Sequence, residues 1–132
     1  MDAVLADTGP LYAVTIASDQ YHERARHESA RLGATTTVIV AYPILMETYS
    51  LLLRRVVPEV AHRWLHEVTE QTSLLTPLEA DYRAARRRVE RYRDKRPSLF
   101  DALLAELSGH LKLPVWTFDS HFDMMQVQVW RA

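Results

Sequence analysis

Apolar positions along this chain follow two rhythms. Residues 3–6, 35–40, 72–75, 115–118 and 127–130 are short continuous runs of β-branched, aromatic and other apolar side chains, the pattern of strands buried on both faces. Between them the apolar residues recur at helical spacing. Pro10 suits the first turn of a helix to about residue 17, and Asp19 caps a second over residues 20–32, with Gly33 as its stop. Pro43 starts a third helix through Arg55, and Pro58 a fourth to about Gln71. Pro77 opens a long helix in which Leu78, Tyr82, Ala85, Val89 and Tyr92 make the core-facing stripe. A last helix opens at Ser98, followed by a loop through Pro114.

The order β-α-α-β-α-α-β-α-α-β-β calls for an α/β domain, a mostly parallel five-stranded sheet flanked by helices in three layers. With 132 residues, 48% hydrophobic, and no repeat or linker, residues 1–132 are expected to form a single domain. Cysteine is absent, which suits a reducing compartment. No apolar stretch approaches the ~20 residues of a membrane helix, and the N-terminus lacks the pattern of a signal peptide. A cytoplasmic chain without membrane contact is the expectation.

Net charge is −1, but its distribution is uneven. Residues 81–96 carry a net +5, which leaves −6 on the remainder. Arg83, Arg87 and Arg91 share the face opposite the apolar stripe, with Arg86 nearer its flank. Such a face is either a solvated surface or a contact for RNA phosphates.

Four acids stand apart from the surface pattern. Asp7 follows the first strand and Asp119 follows the fourth; Glu47 lies at the border of an apolar helical stripe; Asp101 sits in the first turn of a leucine- and alanine-rich helix. The carboxyl end of a strand and the start of the next helix occupy one rim of a parallel sheet, where open α/β folds place ligands. Each acid has a simpler explanation. Asp101 completes a capping box with Ser98, Asp119 caps a short helix, Asp7 forms a turn, and Glu47 lies on a solvated flank. Independent caps and turns need not share a rim, however. Converging carboxylates repel, and a hard divalent cation such as Mg²⁺ removes that repulsion. A site of this kind hydrolyses phosphodiesters.

With these residues assembled, the chain resembles the PIN-domain family, and within it the VapC-type toxin ribonucleases. The resemblance rests on Asp7-Thr8-Gly9-Pro10-Leu11, on Asp19-Gln20-Tyr21-His22-Glu23, on Glu47, on Asp101-Ala102-Leu103-Leu104, and on the stretch from Leu113 to Asp119 with Phe122. It implies Asp7, Glu47, Asp101 and Asp119 as catalytic ligands of Mg²⁺ or Mn²⁺, supported by Thr8, Ser98, Thr117 and Asp123. It also implies a sheet in the order 3-2-1-4-5, RNA as substrate, a homodimer, and a cognate antitoxin.

Other chemistry finds less support. His62 and His66 stand one helical turn apart with no third zinc ligand nearby, and nothing in the spacing singles out His110 and His121 as a metal-free ribonuclease pair. Phosphate-loop and serine-elbow motifs are absent. The alternative from another class is a non-catalytic PIN-like module that binds RNA or protein, which would have no need of four acids.

Overall fold

The structure, a computed structural model, describes residues 2–132. In chain order its elements are β1 (Ala3–Ala6), α1 (Thr8–Thr15), α2 (His22–Thr35), β2 (Thr37–Ala41), α3 (Tyr42–Arg55), α4 (Pro58–Gln71), β3 (Ser73–Leu75), α5 (Glu79–Arg91), a 3₁₀ turn (Arg93–Lys95), α6 (Leu99–Leu111), β4 (Val115–Trp116) and α7 (His121–Met124). All strand pairs are parallel, in the order β3-β2-β1-β4. The central strand β1 is buried along its whole length, as its unbroken apolar run requires. The chain steps from β1 outward through β2 to β3, then returns to the other side of β1 for β4. The β1/β4 boundary is therefore the switch point of the sheet, and the crevice beyond its carboxyl ends is the expected ligand position.

The sheet has four strands where five were expected. Residues 127–130 run beside β4 but form only one parallel bridge, Val115 with Val129, through Val115 N–H to the Gln128 carbonyl (2.9 Å) and Trp130 N–H to the Val115 carbonyl (2.8 Å). A two-residue β4 offers too short a ladder for a full fifth strand. The sequence of neighbours still runs 3-2-1-4 and then this segment.

Three expectations about helices need correction. Asp19 is not the cap of α2, whose N-cap is Tyr21 without a side-chain bond; Asp19 instead accepts the Tyr21 N–H (2.9 Å) in the preceding turn. Gly33 does not stop α2, which continues to Thr35 and ends with Thr36 N–H on the Leu32 carbonyl. In α5, Leu78 and Tyr82 do not face the core: they are 61% and 46% exposed, while Ala85 is buried and Val89 and Tyr92 pack at the core's edge. The helix is rotated toward Asp81, which is buried because its carboxylate accepts the Leu78 N–H (2.8 Å) and stands 3.3 Å from His110 Nδ1. Arg88 joins this buried side by pairing with Glu106 of α6. Capping and pairing override the hydrophobic spacing here.

Candidate metal centre

Each of the four acids is delivered by the start of a helix or the end of a strand, and the local bonds explain its position. Asp7 leaves β1 with its N–H on the Trp116 carbonyl (2.9 Å), extending the β1–β4 pairing by one step. It is the N-cap of α1: Oδ1 accepts the Thr8 N–H at 2.9 Å. Oδ2 accepts from the Thr117 hydroxyl at 2.7 Å. The same hydroxyl oxygen accepts the Asp119 N–H at 2.9 Å, so Thr117 ties the loop after β4 to the acid after β1.

Glu47 reaches the cleft from the second turn of α3, half-buried, and accepts from the Thr8 hydroxyl. Thr48, fully buried, places its hydroxyl 3.1 Å from that of Thr8. Asp101 stands at the third position of α6, where Ser98 and Asp101 form the reciprocal capping box: Asp101 N–H on Ser98 Oγ at 3.0 Å, Ser98 N–H toward Asp101 Oδ2 at 3.4 Å. Asp119 Oδ1 accepts the His121 N–H (2.9 Å) in the turn that leads into the short α7, whose N-cap is Ser120. The simpler reading of Asp101 as a capping-box residue is thus correct, Asp7 is the cap of α1 where a turn was expected, and Asp119 bonds in the turn before α7 where a cap was expected. These bonds leave each carboxylate able to face the cleft as well, because a carboxylate has more acceptor positions than they use.

All four acids line one cleft of about 350 Å³, together with Thr8, Tyr21, Arg55 and Phe118. Other hollows exist, among them one lined by Leu11, Val14, Trp64 and Val68, but this cleft sits at the switch point with converging polar groups. Its electrostatics carry the mark of crowded carboxylates. Burial pushes the Asp7 carboxyl up to about 7; Asp101 and Glu47 push the same way, against the Thr117 and Thr8 bonds that favour the charge. Glu47 is raised first by desolvation and further by Asp101. Asp101 is raised by desolvation and by Asp119, with Ser98 and His121 opposing.

His121, weighed from the sequence only as half of a metal-free histidine pair, stands beside the acids instead. Its Nδ1 lies 3.4 Å from Asp101 Oδ2 and 3.3 Å from Asp119 Oδ1, buried and without a hydrogen-bond partner of good geometry. Asp101, Asp119 and His121 offer three ligand atoms within 4.8 Å of one another. The only sequence signal was its place two residues after Asp119, on a helix too short to show periodicity. An oxygen-rich donor set with one orphaned imidazole nitrogen fits a divalent cation.

Other singled-out residues lie apart. Asp123 is exposed and bonds Arg131 (3.1 Å), outside the cleft lining. His62 meets Tyr49 on the surface, and His110 pairs with Asp81, so these histidines form no common site. Arg83, Arg86, Arg87 and Arg91 are exposed along α5, with Arg83 held to Glu79 at 2.6 Å.

The class so defined is an open parallel α/β domain with acids gathered at its switch point, and comparison with known proteins specifies the family. Residues 4–127 match the PIN domain model. The chain belongs to the PIN-domain family. Among solved structures it is similar to VapC20 of Mycobacterium tuberculosis, described as a sarcin-ricin loop cleaving toxin, with TM-score 0.84 at 20% identity over 98% of this chain and 99% of that one. It is similar also to VapBC2 from Rickettsia felis bound to a DNA fragment from their promoter (TM-score 0.76, 11% identity, 98% and 97% covered). VapBC-1 from nontypeable Haemophilus influenzae gives TM-score 0.73 at 14% identity, with 97% and 96% covered. At such identities the likeness is one of fold. No curated protein matches the chain by sequence.

Proposed function

We propose that this chain is a divalent-metal-dependent endoribonuclease of the VapC type, the toxin of a toxin–antitoxin pair. The observation that carries this reading is the convergence of Asp7, Glu47, Asp101 and Asp119 on one cleft at the switch point, with the carboxyls of Asp7, Glu47 and Asp101 raised by burial and by neighbouring acids. A structural role alone gives no reason to crowd acids that destabilise one another. Membership of the PIN-domain family and the VapC and VapBC folds nearby support the same assignment.

In this reading the four acids hold Mg²⁺ or Mn²⁺, with His121 beside Asp101 and Asp119. The bound cation supplies an activated water and positive charge for attack on an RNA phosphodiester. The protein's own contribution is orientation. Thr117 fixes one Asp7 oxygen and Thr8 N–H the other, Thr8 Oγ1 holds Glu47, and Ser98 sets the rotation of Asp101. Asp123, paired with Arg131 on the exposed side of α7, supports the position of that helix outside the cleft lining. The exposed arginines of α5 hold RNA phosphates along the approach. An adjoining hollow lined by Met46, Glu47, Arg54, Tyr82 and Phe100 links α5 to the outer side of Glu47.

Exposed apolar side chains on α3, α5 and the start of α6, among them Met46, Leu53, Tyr82, Leu99 and Phe100, support protein partners. We assign these to a second copy of the chain and to a cognate antitoxin. No helix is long and apolar enough to cross a membrane among the described residues, and we place the protein in the cytoplasm.

The test is cleavage of single-stranded RNA by the purified chain with Mg²⁺ or Mn²⁺. EDTA should abolish it, and the products should carry 5′-phosphate and 3′-hydroxyl ends, since water and not the ribose 2′-hydroxyl attacks. Cleavage that survives chelation, or 2′,3′-cyclic phosphate ends, would overturn the carboxylate mechanism.

A further inference from the structure

One side of the acidic cleft is aromatic, and nothing in the carboxylate chemistry requires it. Tyr21, at the start of α2, is 41% exposed and leans on half-buried Phe118, with ring centroids 5.1 Å apart and planes at 41°. Both rings line the same cleft as Asp7 and Asp119. The Arg24 guanidinium lies over the Phe118 ring, 4.4 Å from its centroid. Its position is imposed from below. Glu28, only 5% exposed, accepts from Arg24 Nε at 3.1 Å and from the Trp116 indole N–H at 2.8 Å. Trp116 belongs to β4, two residues before Phe118, so the rigid sheet sets Glu28, Glu28 sets Arg24, and Arg24 sets the ring.

A buried carboxylate is costly unless paired and bonded. Here its two bonds go to the strand that leads into the ring's loop and to the arginine that covers the ring. The result is a preorganised π surface one residue from Asp119. Aromatic rings and arginine planes of this kind take up unpaired nucleobases, whose Watson–Crick edges are free of a partner strand.

We propose that Tyr21 and Phe118, stiffened by Arg24, form a stacking subsite for one unpaired base of the RNA next to the scissile phosphate. It rests on the ribonuclease reading and deepens it: the preferred substrate is single-stranded at the cut, and the base beside the cut is held by its face. Face stacking tolerates every base, so this subsite contributes affinity and register with little sequence preference.

The experiment uses full-length protein and single-stranded oligouridylate in which one nucleotide at a time is replaced by 2-aminopurine or by an abasic ribose. Wild type, Tyr21→Leu and Phe118→Leu are compared. Tyr21 is exposed enough that its variant keeps the fold, checked by thermal melting, and carries the test even where Phe118→Leu does not fold. At one register, wild type should quench the 2-aminopurine fluorescence, and Tyr21→Leu should not. Tyr21→Leu should raise KM for the all-uridine strand by roughly 5- to 140-fold, the range from about 1–3 kcal/mol of stacking per base, with kcat much less affected. The decisive comparison is the strand abasic at that register, on which wild type and Tyr21→Leu should have the same KM. Equal losses on intact and abasic strands, or no loss at all while RNA is still bound and cut, would overturn the subsite and leave the nuclease assignment standing. Wild-type protein that neither binds nor cuts RNA would remove both.

Discussion

Asp7→Asn should make the metal-free protein more stable at neutral and higher pH, although it removes a residue from the centre of the site. Asp7 is 7% exposed and its carboxyl is raised from 3.8 to about 7. Between those values the folded chain keeps a proton that the unfolded chain has released. Stability therefore falls as pH rises through this window, is fully present below pH 3.8 as far as Asp7 is concerned, and levels off above about 7. A difference of about three pKa units at ~1.36 kcal/mol each sets an upper limit of ~4 kcal/mol, reduced where side chains rearrange around the charge. Asparagine matches the shape of the protonated acid. Its carbonyl can accept the Thr8 N–H and its amide can donate to Thr117 Oγ1, the two contacts Asp7 makes. Urea denaturation in EDTA, run from pH 4 to pH 8, should give a falling curve for wild type and a flatter one for Asp7→Asn, with the gap largest at pH 8. Adding Mg²⁺ should close the gap by stabilising wild type alone, by ~2.7 kcal/mol at a hundred times Kd. Parallel curves in EDTA would refute the argument that burial and neighbouring acids load this site with unfavourable charge.

Three further outcomes test the surrounding residues. Thr117→Val removes the hydroxyl that donates to Asp7 and accepts from Asp119 N–H; it should cost about 1–3 kcal/mol in urea melts, more above pH 7 than below, and an equal cost at both pH values would deny the bond to ionised Asp7. His121→Ala removes a group that holds the Asp101 carboxyl down, so the lower limb of the pH–activity profile should move to higher pH; an unmoved limb would leave His121 a packing residue only. Replacing Arg83, Arg87 and Arg91 together by Gln should preserve the fold and weaken RNA binding, with the salt slope falling by roughly 0.7 per lost phosphate contact; unchanged slope would return α5 to a solvated face.

Much of this molecule is written in local chemistry. The apolar run before Asp7, the prolines at the starts of α3 and α4, and the Ser98–Asp101 box each act within a few residues, so a single chain suffices to read them. The rim position of Asp7 was legible for the same reason, since a parallel sheet leaves one place for the residue after a strand, and Asp119, three residues beyond β4, reaches the same rim. What required the tertiary structure is everything that depends on partners distant in sequence. Asp81 is buried with its carboxylate on the Leu78 N–H and 3.3 Å from His110 of α6, while Leu78 and Tyr82 of the expected stripe turn to solvent. The fifth strand shrinks to one bridge because β4 is only two residues long. Glu28 has the sequence context of a surface helix residue, and only the indole of Trp116 across the fold makes it an interior anchor. His121 lies near Asp119 in sequence, but its place against Asp101 is set by how α6 and the loop after β4 pack. Hydrophobic period and capping are properties of neighbours along the chain, whereas charge repulsion and cross-strand hydrogen bonds belong to groups that only folding brings together.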